Sequence, residues 1–211
     1  GAGKTTTLKC VAGIHPFDKG EIWIHSHSVK DDALACKRIT AYIPDNPDLY
    51  DYMTGAQYLG FIADIFSMDA SKRKSAISHY AELFGLSENL AQPIRAYSHG
   101  MKQKLALTAA FIHEPMLIIM DEPFVGLDPA ASHTLKVLMR EFCGNGGAIF
   151  FSTHVLDVAE KLCDKVAIIQ RGKLIRSGLM REVAVDASLE HVFLSIREME
   201  HDKDIIQKTD A

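Results

Sequence analysis

Two apolar runs, Met116–Met120 and Ala148–Ser152, are separated by a single helical pattern over Pro129–Phe142. Runs this short and this continuously apolar predict strands buried on both faces of a parallel sheet. A strand–helix–strand order with such strands leaves few folds open, and the expectation is α/β, with helices covering a mostly parallel sheet. The first run ends in Asp121-Glu122 and the second in Ser152-Thr153-His154. In open α/β sheets, ligands bind beyond the carboxyl ends of the strands. Both ends are therefore candidate parts of one site.

The rest of the chain fits this frame. A helix is predicted over Thr5–Ala12, directly after a glycine-rich turn. Gly20–His25 alternates as a strand, Thr40–Ile43 is a short strand before the turn Pro44–Pro47, and an antiparallel strand region is expected near Gly20–Ile43. From Tyr52 to about Leu90 the pattern is helical. Tyr58, Leu59, Ile62, Ile65 and Phe66 recur at helical spacing, as do Ile77, Tyr80, Ala81 and Phe84, and Gly85 reads as a stop. Tyr97–His113 reads as a helix opening at a Ser N-cap. This helical block between strand-rich flanks predicts an inserted α-helical subdomain over about residues 51–113. Val166–Gln170 and Lys173–Arg176 form a hairpin pattern around Gly172, and residues 198–211 read as a polar, frayed tail.

Composition excludes several classes. The net charge of −4 provides no basic field for nucleic acid. The basic run Lys72–Lys74 reads as a solvated helix face. Cys10, Cys36, Cys143 and Cys163 are widely spaced without metal-ligand patterning, which points to reduced thiols, with Cys10 and Cys163 as small core residues. The remaining histidines, His15, His25, His27 and His133 among them, show no partner pattern and read as surface residues. No run approaches the roughly 20 apolar residues of a membrane span.

Five segments carry the chemistry: Gly1–Thr7 (GAGKTTT), Tyr97–Gln103 (YSHGMKQ), Leu117–Pro123 (LIIMDEP), Gly126–Pro129 (GLDP) and Ser152–His154 (STH). Gly1, Gly3, Lys4 and Thr5 match the end of a phosphate-cradling loop, whose backbone amides and following helix N-terminus hold anions. Lys4 suits the β- and γ-phosphates, Thr5 a magnesium ion and Thr6 the α-phosphate. Asp121 at a strand end suits a magnesium contact, and Glu122 suits a general base. Ser98 and Gly100 open a helix, where a hydroxyl and free amides attract anions.

In this order the segments resemble the ATP-binding cassette (ABC) ATPases across nearly the whole chain. The resemblance implies a P-loop fold over residues 1–197 that binds ATP with Mg2+ and hydrolyses it. It gives His154 a contact with the γ-phosphate. Two cassettes would pack head to tail, each site completed by Ser98 and Gly100 of the other chain, with Asp128 lining the seam. Asp128 equally suits an N-cap before Pro129, and Ser98 an ordinary cap. Tyr97, His99 and Met101 replace the usual Leu, Gly and Gln. Asp45 stands where the family carries Gln, leaving it a magnesium contact or a turn residue in Pro-Asp-Asn-Pro.

The partners implied are transmembrane permease subunits and a second cassette, identical or different, with no nucleic acid. The place implied is cytoplasmic, on the inner face of the cell membrane, and Gly178–Ile196 resembles the tail of single-domain bacterial exporter ATPases. A soluble ABC ATPase of ribosomes or DNA, or a nucleotide sensor without turnover, is the alternative. The chain opens inside its phosphate loop, so it is expected to be a fragment. Losing a central strand would remove four or five side chains worth about 1.5–3 kcal/mol each. The fragment is then expected to fold poorly, bind ATP weakly and show a gap in its sheet.

Overall fold

The computed structural model describes residues 2–184 and 188–195. The predicted tail at 198–211 and Gly1 lie outside them. The chain divides into two compact units, one of residues 5–152 and one of residues 1–4 with 153–211. The class is α/β, as the strand–helix–strand pattern requires.

In the larger unit, β3 (Thr40–Ile43), β4 (Leu117–Asp121) and β5 (Ala148–Ser152) form a parallel sheet in the order β3-β4-β5, so Thr40–Ile43 leaves the expected antiparallel region because its pairing partner is the distant β4. β4 is central, and Ile118, Ile119, Met120 and Asp121 are all buried. β5 departs from expectation, because exposed residues alternate with less exposed ones and Phe150 is 39% exposed. The reason is its position: among the described residues β5 pairs with β4 alone and stands at the edge of the sheet. A continuous apolar run thus overstated its burial. The helix between them, α6 (Pro129–Gly144), buries Ala131, Leu135, Leu138 and Met139 at helical spacing.

The strand predicted over 20–25 shrinks to β1 (Trp23–Ile24), paired antiparallel with β2 (His27–Ser28). His25 in the turn takes φ 56°. Ile24, Val29 and Cys36 form a small core here with α2 (Ala33–Arg38). His27 is partly exposed and lies 2.6 Å from Asp32, a partner that no sequence pattern announces. Cys10 and Cys163 are also only half-buried, and Cys36 is the cysteine in the core. Each sits at an element's edge, where apolar sequence neighbours do not guarantee enclosure.

Residues 51–113 contain α3 (Gly55–Ile65), α4 (Ala70–Leu83) and α5 (His99–Ile112). Thr54 and Gln57 form a reciprocal capping box at the start of α3. Gly85, at φ 65°, stops α4: its amide bonds the Glu82 carbonyl, and the Leu86 amide bonds Ala81. Leu59, Ala81, Phe84, Leu105, Leu107 and Ile112 are all buried. Helix α5 starts at His99, two residues later than the pattern suggested, because Tyr97 still belongs to the preceding 3-10 turn.

In the smaller unit, β6 (Lys165–Gln170) and β7 (Lys173–Leu179) form an antiparallel hairpin through Gly172. Ile168 packs with Ala159 of α7 (Leu156–Leu162), Val183 of α8 (Met180–Val183) and Leu189. Residues 189–195 are helical. Among the described residues, no helix is long and apolar enough to cross a membrane.

Candidate functional site

The parallel register sets Asp121, the last residue of β4, directly beside Ser152, the last residue of β5. Asp121 is 2% exposed. A carboxylate this buried must find donors, because leaving it unpaired costs several kcal/mol. It finds two hydroxyls. Thr5 Oγ1 donates to Oδ2 at 2.5 Å, and Ser152 Oγ donates to Oδ1. Thr5 lies in the first turn of α1 (Lys4–Val11), so this bond brings a helix N-terminus to the end of the sheet. Tyr42 of β3 also feels Asp121. Burial raises its phenol above the ordinary range, and the Asp121 charge raises it further.

Glu122 follows Asp121 at φ 47°, a left-handed conformation that costs a non-glycine residue on the order of 1–2 kcal/mol. Its amide donates at 3.2 Å to both the carbonyl and the hydroxyl of Ser152. The backbone therefore turns sharply where the strand ends and the acidic pair projects. The STH segment alone assigns Ser152 no role; the signal for it is the register between the two apolar runs when they are taken as neighbours.

Ser98 and Gly100 belong to a second group, at the start of α5. Ser98 Oγ accepts the Met101 amide at 3.2 Å and so caps its own helix. A Cβ on Gly100 would stand 2.6 Å from the Gly126 carbonyl oxygen, so only glycine permits this approach of helix to loop. Gly126, at φ 78°, lies equally tightly under the His99 ring. Asp128 caps α6 by accepting the Ala131 amide at 2.8 Å. Its other oxygen is 2.6 Å from Lys104 Nζ. The Lys104 contact first, and the Ala131 amide second, hold this carboxyl below the usual range.

Asp45 is exposed in a bend two residues past β3, at the same carboxyl edge of the sheet as Asp121. Thr6 is exposed on α1 and Lys4 begins that helix. Gly3, at φ 99°, takes the conformation glycine permits. His154 is exposed in the bend between β5 and α7. Among the described residues, no three His, Cys, Asp or Glu side chains cluster as a metal cage.

Residues 1–125 match the family model described as ABC transporter. An uncharacterized ABC transporter ATP-binding protein of Nostoc sp. is 36% identical over 194 residues, covering 91% of this chain and 57% of that protein. YhcH of Bacillus subtilis, described in the same words, is 36% identical over 198 residues, 92% of this chain and 63% of its own length. A solved ATP-binding subunit of an ABC transporter superposes with TM-score 0.89 at 33% identity, covering 93% of this chain and 84% of that one. The chain belongs to the ABC transporter family, and what it carries is the P-loop fold of the ATP-binding subunit. It spans about six-tenths of the length of those curated relatives.

Proposed function

We propose that this protein binds and hydrolyses ATP and so drives movement of a substrate through separate transmembrane permease subunits. The observation that carries the reading is the 2.5 Å contact of Thr5 Oγ1 with Asp121 Oδ2 at the end of a buried strand. Magnesium in nucleotide sites takes one or two protein oxygens and completes its octahedron with phosphates and water. A hydroxyl and a carboxylate already in contact suit that requirement. The ion, when present, would offset phosphate charge at this point.

The protein groups divide the remaining work. Gly1, Gly3 and the amides opening α1 cradle the phosphates, Lys4 binds the β- and γ-phosphates, and Thr6 donates to the α-phosphate. Thr5 and Asp121 hold the metal, with Asp45 contributing from the next strand end. Glu122 takes a proton from the attacking water, and His154 contacts the γ-phosphate. Ser98 and Gly100 close over the nucleotide of a second cassette, identical or different. Residues 1–197 act as one cassette with its helical insertion at about 51–113, followed by a tail at 198–211.

In this reading the protein works on the cytoplasmic face of the membrane, held there by its permease. Family membership favours this over an ABC ATPase acting on ribosomes or DNA, and the acidic pair favours turnover over nucleotide sensing. Glu122→Gln provides the test in the complete gene product. ATP binding should persist while hydrolysis slows on the order of 10²–10⁴-fold, and the ATP-bound dimer should accumulate on size exclusion. Hydrolysis at the parent rate would remove Glu122 as the base.

A further inference from the structure

Ser152 makes contacts to both residues of the acidic pair. It ends β5 opposite Asp121 and is 6% exposed. Its hydroxyl has one proton, which goes to Asp121 Oδ1. The oxygen's lone pairs are then left for donors, and the Glu122 amide occupies one at 3.2 Å. The Ser152 carbonyl takes the same amide at 3.2 Å. One residue therefore binds the side chain of the first acid and the backbone of the second.

That second contact falls where the chain is least able to hold itself. Glu122 has φ 47°, a conformation that persists in an L-residue only when its surroundings dictate it. The direction of the Glu122 side chain follows from this backbone angle. A relaxation of Glu122 toward ordinary strand geometry would swing its carboxylate to a different side of the strand end.

We propose that Ser152 is a positioning residue for ATP hydrolysis, its hydroxyl fixing the Asp121 carboxylate and the left-handed backbone of Glu122 as one unit. The inference rests on the reading of Glu122 as general base. The hydrogen bonds run in series, amide to hydroxyl to carboxylate, so each polarises the next. Removing the hydroxyl deprives Asp121 of a donor and takes from the Glu122 amide one of its two Ser152 acceptors.

The test compares the parent with Ser152→Ala, Ser152→Thr, Glu122→Gln and the double variant Ser152→Ala/Glu122→Gln in the complete gene product. ATP affinity is measured at equilibrium under non-hydrolysing conditions, and kcat and Tm are measured separately. Ser152→Ala should lower kcat roughly 10- to 100-fold, the scale of a displaced catalytic group. ATP affinity should stay within about twofold, and Ser152→Thr, which keeps the hydroxyl, should restore most of kcat. In the Glu122→Gln background the same change should lower the residual rate less than about twofold, since no base remains to be aimed. Should the alanine variant not fold, Ser152→Cys fills the site with a slightly larger atom, weakens the hydrogen bonds and is judged by the same comparison. Parental kcat in the alanine (or cysteine) variant, an equal fold-loss in both backgrounds, or affinity falling in step with kcat would each overturn the proposal. Failure of the underlying reading is distinguishable, because Glu122→Gln alone would then hydrolyse ATP at the parent rate.

Discussion

Lys104 Nζ lies 2.6 Å from Asp128 Oδ2, tying helix α5 to the first turn of α6 through a carboxylate that also caps α6. This contact and the Gly100–Gly126 approach join the start of α5 to the loop after β4. The segment read as a dimer-seam motif is thus anchored within its own chain by both oxygens of Asp128. A structural role for Asp128 is visible, and any role across a seam must come on top of it.

The cap is worth about 1 kcal/mol, and the partly exposed ion pair at most about another 1 kcal/mol after solvent screening. Asp128→Ala should lower Tm by roughly 2–8 °C, given about 2–4 °C per kcal/mol for a chain of this size. Lys104→Met, which leaves the cap intact, should lower it by less than half as much. Thermal unfolding followed by circular dichroism measures both. Equal losses would mean that the cap contributes nothing.

For Ser98, the cap on α5 predicts a stability loss of about 1 kcal/mol on substitution by alanine. A role toward a second cassette predicts something more: nucleotide affinity should fall at concentrated protein, where dimers form, and hold at dilute protein. Titrations at both concentrations separate the two contributions. An equal loss in each would confine Ser98 to its cap.

Asp45 emerges at the edge of the sheet that bears Asp121. Asp45→Asn should raise the magnesium concentration needed for half-maximal hydrolysis several-fold while leaving Tm within about 1 °C, as expected of an exposed side chain. A magnesium titration of the ATPase rate is the measurement. An unchanged requirement would leave Asp45 as a turn residue.

His113 ends α5 beneath the Phe66 ring, with centroids 3.7 Å apart. Its Nδ1 lies 3.2 Å from the Ala109 carbonyl, and its Nε2 is buried without a partner. Burial lowers its affinity for a proton, partly opposed by the Ala109 contact. The unfolded chain, with an ordinary imidazole near 6.5, then binds the proton first as pH falls. The stabilisation is full above about pH 6.5 and is lost progressively as pH drops from there toward the folded value. Tm should therefore fall between pH 7 and pH 5, with a smaller slope for His113→Phe. Identical slopes in parent and variant would exclude His113 as the source.

Several features are legible in the sequence because their causes are local. Ser98 and Asp128 cap helices through their own side chains, and Gly85 stops α4 because glycine tolerates a positive φ. The apolar runs before Asp121 and through Ser152 announced parallel strands, and the ordered motifs announced the family. Sequence by itself determined which chemical groups are present and which elements carry them, because capping, periodicity and turn chemistry act over a few residues.

Tertiary structure alone decided which of those groups meet. Thr5 and Asp121 are separated by 116 positions and touch because a helix N-terminus arrives at a strand end. Ser152 reaches both acids only through the register of β5 on β4. The left-handed turn at Glu122 has no glycine to announce it, since neighbours rather than residue type hold it. Edge position, not hydrophobicity, left β5 half-exposed. Strand order, register and enforced backbone angles depend on contacts between residues far apart in the chain, and no local preference encodes them.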